Sequence, residues 1–494
     1  MLTSAYSPLS NSEVSLDSPD VEMRYRQTKI IFTIGPATSS DAVLKQLIQE
    51  RVDMVRINMA HATHEGTRQT IQQVKRVCGE VGRQIAIMMD IKGPEIRTGH
   101  IGEPVYLEEG RLFDLLMEAP KAEPVQQEVR CIDVNYPDLI NDVAVGDTVL
   151  VDSGLIRMKV LSVRENRIRC QVVIPGLLGN RRHINLPGVR VRLPSLTEKD
   201  LGDIAVGLQE RIDFFALSFL RDADALHELR ALLSRHGSKA GIIAKLEDQQ
   251  GISNLDEIVD ASDGVMVARG DLGIECPYEE LPIIQHRIIK ACIRKSRSVI
   301  VATHMLESMI AAPVPTRAEV SDVSHAVLER ADAIMLSGET ATGKYPVDCV
   351  QVFKRISRRI EMLHDDEPNR ELHLPTPTGK MLRSAVYLAN EIENSGLVVF
   401  SRSGYRVRML SSLRPKVPIY AFTDIPALFR NLLIYWGVEP FQMDFSEDPE
   451  DTVRHAFDYL KRRHWVKPGQ TLVVISNALA KGKIIDTMQI RPVE

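Results

Sequence analysis

The chain has 494 residues, 44% hydrophobic and 26% charged, with a formal net charge of −5. That length exceeds one ordinary core and the composition is globular, so several domains are expected. The mild acidity speaks against a nucleic acid or an anionic membrane as partner, and no apolar run reaches the length of a membrane span.

Residues 1–24 are Ser-rich, with no cationic start and no apolar core, and read as a disordered N-terminal extension rather than a signal peptide. From Lys29 short apolar strands alternate with amphipathic helices. The predicted strands are Ile30–Ile34, Met54–Ile57, Ile85–Asp90, Phe214–Ser218, Ile242–Lys245, Val265–Ala268, Val299–Thr303 and Ala333–Leu336. Between them, Asp222–Arg235 places Leu226, Leu229, Leu232 and Leu233 on one face, and Ser195-Leu196-Thr197-Glu198 reads as a capping box. Strand–helix alternation implies parallel pairing, and eight strands close a (β/α)8 TIM barrel. A doubly wound open sheet is the alternative, weakened because no G-x-G-x-x-G follows the first strand.

The barrel is expected over residues 25–98 and 193–365. Residues 99–192 interrupt it with strand-like runs Thr148–Val151, Ile156–Val163 and Ile168–Ile174, broken by Gly146-Asp147, Ser153-Gly154 and Pro175-Gly176. They read as an inserted all-β lid domain, a β-barrel, over the carboxyl-terminal face where barrel active sites lie. Residues 366–494 read as a C-terminal α/β regulatory domain with strands Leu397–Phe400, Pro418–Phe422 and Thr471–Ile475. Cys78, Cys131, Cys170, Cys276, Cys292 and Cys349 are scattered with no C-x-x-C, which suits a reducing, cytoplasmic setting without disulfides or a zinc site.

The most informative stretch runs from Gly241 to Pro277. G-I-I-A-K-L-E and V-M-V-A-R-G-D-L-G-I-E are apolar runs that end in charge, at Lys245 and Glu247 and at Arg269 and Asp271. Residues two apart on a strand share a face, so Lys245 and Glu247 point the same way. Two carboxylates with a lysine and arginines suit Mg²⁺ and a phosphate, since Mg²⁺ takes one or two carboxylates and fills its other positions with substrate oxygens and water. The competing reading is a surface salt-bridge cluster. Other predicted strands also end in polar groups: Arg56 and Asn58, Asp90, Ser218, Thr303, then Ser337 and Glu339, with Arg97 just beyond the third.

The segments M-V-R-I-N-M-A-H (54–61), D-I-K-G-P-E-I-R-T-G (90–99), I-I-A-K-L-E (242–247), V-M-V-A-R-G-D-L-G-I-E (265–275), A-T-H-M-L-E-S-M-I (302–310), P-T-R-A-E (315–319) and M-L-S-G-E-T-A (335–341) together resemble pyruvate kinase. The resemblance implies a homotetrameric cytosolic enzyme that transfers phosphoryl from phosphoenolpyruvate to ADP. By it, Glu247 and Asp271 are ligands of Mg²⁺ or Mn²⁺, Lys245 stabilises the phosphoryl group and the enolate oxygen, and Gly270 and Thr303 contact substrate. Arg56 and Arg97 bind phosphate; Asn58, His61 and Arg97 border the nucleotide. Arg182, lysine in the family's motif, reaches the nucleotide phosphates from the lid. Asn58, Asp90 and the Ile91 carbonyl remain as K⁺ ligands, but Ala60 and Ile91 replace the family's serine and threonine, so a weakened K⁺ site is expected. Ser401-Arg402-Ser403-Gly404 suggests a cradle for a phosphorylated effector, although S-N-A-L-A-K-G-K-I (476–484) replaces a Gly-rich phosphate loop. Ser337 and Glu339 are as readily braces as site residues, and His61 and His304 read as hydrogen-bonding groups rather than catalysts. The rival functions are a catalytically weak relative serving as a regulatory or binding subunit, and a Mg²⁺-dependent lyase on a related barrel.

Overall fold

The computed structural model describes residues 25–60, 62–118, 129–194, 196–363, 372, 374–480 and 483–494, without the side chains of 478–480, 483 and 484. The expected N-terminal extension, His61 and Ser195 lie outside the described residues.

Eight parallel strands close a barrel: Lys29–Thr33, Met54–Asn58, Ala86–Ile91, Phe214–Leu217, Gly241–Leu246, Gly264–Ala268, Ser298–Ala302 and Ala333–Leu336. The first and last strands pair through Lys29↔Ala333 to Phe32↔Leu336. Alternation along each strand separates two cores. Ile31, Met54, Met88, Ala216, Ile243, Met266, Ile300 and Met335 fill the barrel interior, while Ile30, Val55, Ile87, Phe215, Ile242, Val265, Val299 and Ile334 pack outward under the helices. The Asp224–Arg235 helix buries Leu226, Leu229 and Leu233, as its periodicity predicts. The capping box lies two residues later than expected: Thr197 accepts from the Asp200 N–H, and Asp200 accepts from the Thr197 N–H. Asp200 also holds the Gly93 N–H at 3.2 Å. Gly93 has φ +70°, and a Cβ there would lie 2.9 Å from the Ser218 carbonyl, so this turn requires glycine.

The insertion has its own core around Phe113, Leu115, Met158 and Cys170. Its strands form a six-stranded sheet, from Ile184–Asn185 at one edge to Arg130–Asp133 at the other, and a separate two-stranded sheet. Among the described residues the two edges do not pair with each other directly; residues 96–99 bridge them, the Thr98 N–H donating to the Arg182 carbonyl and the Gly99 N–H to the Asp133 carbonyl, both at 2.8 Å. The C-terminal unit is a five-stranded sheet in the order Val438–Gln442, Ile419–Thr423, Gly396–Phe400, Thr471–Ala480 and Lys483–Pro492, the last strand antiparallel. Pro440 hides the first of these from a strand reading, and an edge position is where a strand tolerates proline. All six cysteines are free.

The amino-terminal end of the barrel carries a fourfold device. An aspartate precedes each even-numbered strand: Asp53, Asp213, Asp263 and Asp332. Each accepts the second backbone N–H of the preceding odd strand, from Ile30 (2.8 Å), Ile87 (2.9 Å), Ile242 (2.8 Å) and Val299 (3.0 Å). Each also meets arginine: Arg26 and Arg83 on Asp53, Arg430 on Asp213, Arg230 on Asp263, Arg414 on Asp332. Arg414 and Arg430 come from the C-terminal unit, which they fasten beneath the barrel.

Candidate active site

At the carboxyl-terminal end the interior alternation continues into polar residues. Two positions beyond Ile31, Met54, Met88, Ala216 and Ile243 stand Thr33, Arg56, Asp90, Ser218 and Lys245, all turned inward. Lys245 Nζ donates to Ser218 Oγ at 2.6 Å and lies 2.9 Å from Glu247 Oε1 and 3.1 Å from Asp90 Oδ1. Three acceptors use all three ammonium protons. Ser218 Oγ in turn donates to the Ile91 carbonyl at 2.9 Å. Arg56 donates to Asp90 Oδ2 through Nε at 2.7 Å and to Thr33 Oγ1 through Nη1 at 3.2 Å. Glu247 Oε2 accepts the Phe219 N–H at 2.7 Å.

This cluster is buried, and burial sets its electrostatics. For Lys245 burial works against the charge, but the Asp90 and Glu247 carboxylates outweigh it and raise the ammonium's pKa. Burial likewise opposes the Asp90 charge, yet Lys245 and Arg56 hold that carboxyl below its usual range. Burial pushes Glu247 up to about 7 against the pull of Lys245, and the charge of Asp271 adds to the rise.

Asp271 and Arg269 do not end a strand, as expected, but open a helix, Arg269–Glu275. Asp271 makes no hydrogen bond or ion pair with another described side chain. Arg269 is not a phosphate-facing group. Asp322 accepts from its guanidinium at 2.6 and 2.8 Å, and Arg269 Nη2 also donates to the Thr303 carbonyl at 2.8 Å, so Arg269 braces the helix. Gly270 N–H donates to Thr303 Oγ1 at 2.7 Å, and that hydroxyl donates to the Ala302 carbonyl at 2.7 Å. Thr303 and His304 adopt φ values of +68° and +54°. Two successive left-handed residues without glycine, one of them β-branched, are a strained turn of the kind found at functional sites.

Arg97 is held by Glu95 at 2.5 Å and by the Arg181 carbonyl at 2.9 Å, where it meets the lid. Arg182 lies on the lid and pairs with Asp152 at 3.3 Å. Asn58 Oδ1 accepts the Ala60 N–H at 3.1 Å. Glu339 is fully buried and accepts the Leu306 and Ser337 N–H groups, so it braces the barrel mouth. Sequence reasoning missed Thr33, which the two-residue alternation could have found, and Asp322, which lies far along the chain and gives no local signal. Ser401, Arg402 and Ser403 line a cavity of about 610 Å³ in the C-terminal unit. There Ser401 Oγ caps the Gly404 N–H at 2.8 Å and Arg402 pairs with Asp424 at 2.6 Å. Residues 476–480 end the strand Thr471–Ala480 and residues 483–484 begin the strand Lys483–Pro492, while 481 and 482 lie outside the described residues.

The family model of the pyruvate kinase barrel domain matches residues 25–350, and that of the pyruvate kinase alpha/beta domain matches residues 380–491. The chain belongs to the pyruvate kinase family. Similar relatives include plastidial pyruvate kinase 2 of Arabidopsis thaliana, 40% identical over 92% of this chain and 78% of its own length. Pyruvate kinase isozyme G, chloroplastic, of Nicotiana tabacum is 41% identical over 96% and 83%, and the pyruvate kinase of Geobacillus stearothermophilus is 40% identical over 93% and 78%. The crystal structure of a pyruvate kinase from Cryptosporidium parvum superposes with a TM-score of 0.91 at 32% identity, covering 96% of this chain and 98% of that one. As in other pyruvate kinases, this is an enzyme built on a barrel with an α/β unit behind it. The cytoplasmic placement is corrected: relatives matching more than nine-tenths of the chain include proteins named plastidial or chloroplastic as well as bacterial ones, so the family does not imply a cytoplasmic protein.

Proposed function

We propose that the chain is an active pyruvate kinase that transfers the phosphoryl group of phosphoenolpyruvate to ADP, giving pyruvate and ATP. The observation that carries this reading is the Lys245 ammonium, fully charged and held among Asp90, Ser218 and Glu247 at the inward mouth of the barrel. A loose phosphoryl transition state needs positioning and charge neutralisation more than covalent chemistry. Lys245 gives up one of its three acceptors to meet the enolate oxygen and the transferring phosphoryl. Arg56 and Arg97 already spend donors on Asp90, Thr33 and Glu95, so their remaining N–H groups are preorganised for phosphate oxygens. Gly270 and Thr303 border the substrate; the Thr303 hydroxyl proton points at Ala302 and must rotate to serve the substrate carbon.

Glu247 and Asp271 fit a divalent cation, Mg²⁺ or Mn²⁺. A buried carboxyl raised by its own desolvation and by a second carboxylate is a site that a cation relieves. Such an ion supplies charge to the phosphate and enolate oxygens. Asn58, Asp90 and the Ile91 carbonyl fit K⁺ less well, because Ala60 offers no hydroxyl and Ile91 already accepts from Ser218. Asn58, His61, Arg97 and Arg182 serve the nucleotide. The insertion at 99–192 acts as the lid that carries Arg182, the barrel spans 25–98 and 193–365, and 366–494 forms a regulatory unit. Ser401, Arg402, Ser403 and Gly404 take a phosphorylated effector there, and the enzyme assembles as a homotetramer.

A coupled assay of the purified chain with phosphoenolpyruvate, ADP, Mg²⁺ and K⁺ tests the reading. Steady pyruvate formation is expected. Substrate binding without turnover would instead mark a regulatory subunit, and phosphoenolpyruvate consumed with neither pyruvate nor ATP formed would mark a lyase.

A further inference from the structure

The Arg269–Glu275 helix is anchored at both ends. Its first turn, with Gly270 and Asp271, is held to the barrel by Asp322 and Thr303. Its last residue, Glu275, reaches the lid: Asn185 Nδ2 donates to Glu275 Oε1 at 2.9 Å. Both residues are more than nine-tenths buried, at 6% and 9% exposure. Asn185 lies in the lid's last strand, one residue before the chain turns back toward the barrel. Gln249 Nε2 fixes the same corner by donating to the Glu275 carbonyl at 2.5 Å.

Around this contact the lid and barrel do not pack solidly. Asn185, Glu275, Arg190, Arg221 and Gln250 line a cavity of about 460 Å³ beside Glu247. Across this gap the rings of His183 and Phe219 meet with centroids 5.5 Å apart, but such sparse packing fixes an angle less firmly than directional bonds do. A buried hydrogen bond to a carboxylate is among the stronger bonds available for that task.

We propose that Asn185 and Glu275 are a positioning pair that sets the hinge of the lid over the nucleotide site. The inference rests on the pyruvate kinase reading, in which the lid carries Arg182 to the nucleotide phosphates. The metal and phosphoenolpyruvate side keeps its own anchors at Asp322 and Thr303. Loss of the pair is thus felt by ADP and not by phosphoenolpyruvate.

The test uses the full chain, four single variants and one double variant. Asn185→Leu and Glu275→Met remove the bond while keeping volume. Asn185→Thr is polar but too short to reach the carboxylate, and stands in if the leucine variant does not fold. Glu275→Gln keeps an acceptor. The first three are expected to raise KM for ADP about tenfold, the low end for a bond to a charged group. KM for phosphoenolpyruvate stays put, and Glu275→Gln stays near wild type. The Asn185→Leu/Glu275→Met double variant is no worse than the worse single one, as for two residues acting through one bond. A purely structural role would lower thermal stability and active fraction without splitting the two KM values. An unchanged KM for ADP in a folded variant, or effects that add in the double variant, overturns the pair. An inactive wild type would instead overturn the underlying reading.

Discussion

Both ends of the barrel bury carboxylates against cationic side chains, yet the two arrangements differ in what they leave open. At the amino-terminal end Asp53, Asp213, Asp263 and Asp332 each hold a neighbouring strand's N–H and at least one arginine. The best-closed of them, Asp332, takes both arms of Arg414 and the Trp436 N–H, and the ion pair is almost wholly sealed from water. At the carboxyl-terminal end Asp90 and Lys245 are as tightly paired, but Glu247 is driven toward neutrality and Asp271 meets no described partner. A closed set of partners makes a joint; an open valence beside a fixed lysine makes a site. The same residue types serve stability at one end and chemistry at the other, and the partner count tells them apart.

The sharpest way to break this contrast is Lys245→Met. Removing the ammonium is expected to lower kcat per folded molecule by about a thousandfold, the scale of one preorganised electrostatic group, with a modest change in KM. Turnover above a tenth of wild type would take Lys245 out of the mechanism. At the other end, Asp332→Ala leaves Arg414 buried without its carboxylate and should cost about 3–5 kcal/mol in urea unfolding. The kcat of the molecules that remain folded should hold. If kcat per folded molecule falls in step with stability, the two ends are not the separate devices described above.

Glu247→Gln sharpens the comparison further. It keeps the shape and the Phe219 contact but loses the charge, so Mn²⁺ binding followed by calorimetry should weaken by about tenfold or more, as for a lost charged partner. An unchanged isotherm would remove Glu247 from the ligand set. The smallest expected effect concerns K⁺. Rates over a K⁺ series, with tetramethylammonium holding ionic strength constant, should show activation with a raised half-saturation. Ala60→Ser should lower that half-saturation by up to about tenfold by restoring one oxygen. Equal rates with and without K⁺ would mean that Ala60 abolished the site rather than weakened it.

What the sequence determined by itself was whatever repeats at short range. Short continuous apolar runs made all eight barrel strands legible to within a residue or two, and the period of two in side-chain direction, carried on past the apolar residues, turned Arg56, Asp90 and Lys245 inward. The motif around Lys245 and Glu247 was legible for the same reason. Tertiary structure decided what depends on partners distant in the chain. It turned Arg269 from a phosphate ligand into a brace, because Asp322, 53 positions on, takes its guanidinium. It consumed Glu339 on two backbone N–H groups, and joined Asn185 to Glu275 across 90 positions. The four basal aspartates stand in plain view in the sequence, yet nothing local distinguishes them from surface acids. Only closing the barrel brings each beside the N–H of the strand before it, and only docking the C-terminal unit supplies Arg414 and Arg430. A charged side chain's role follows from which charges and dipoles surround it once water is removed, and that is settled by the fold rather than by neighbours in the chain.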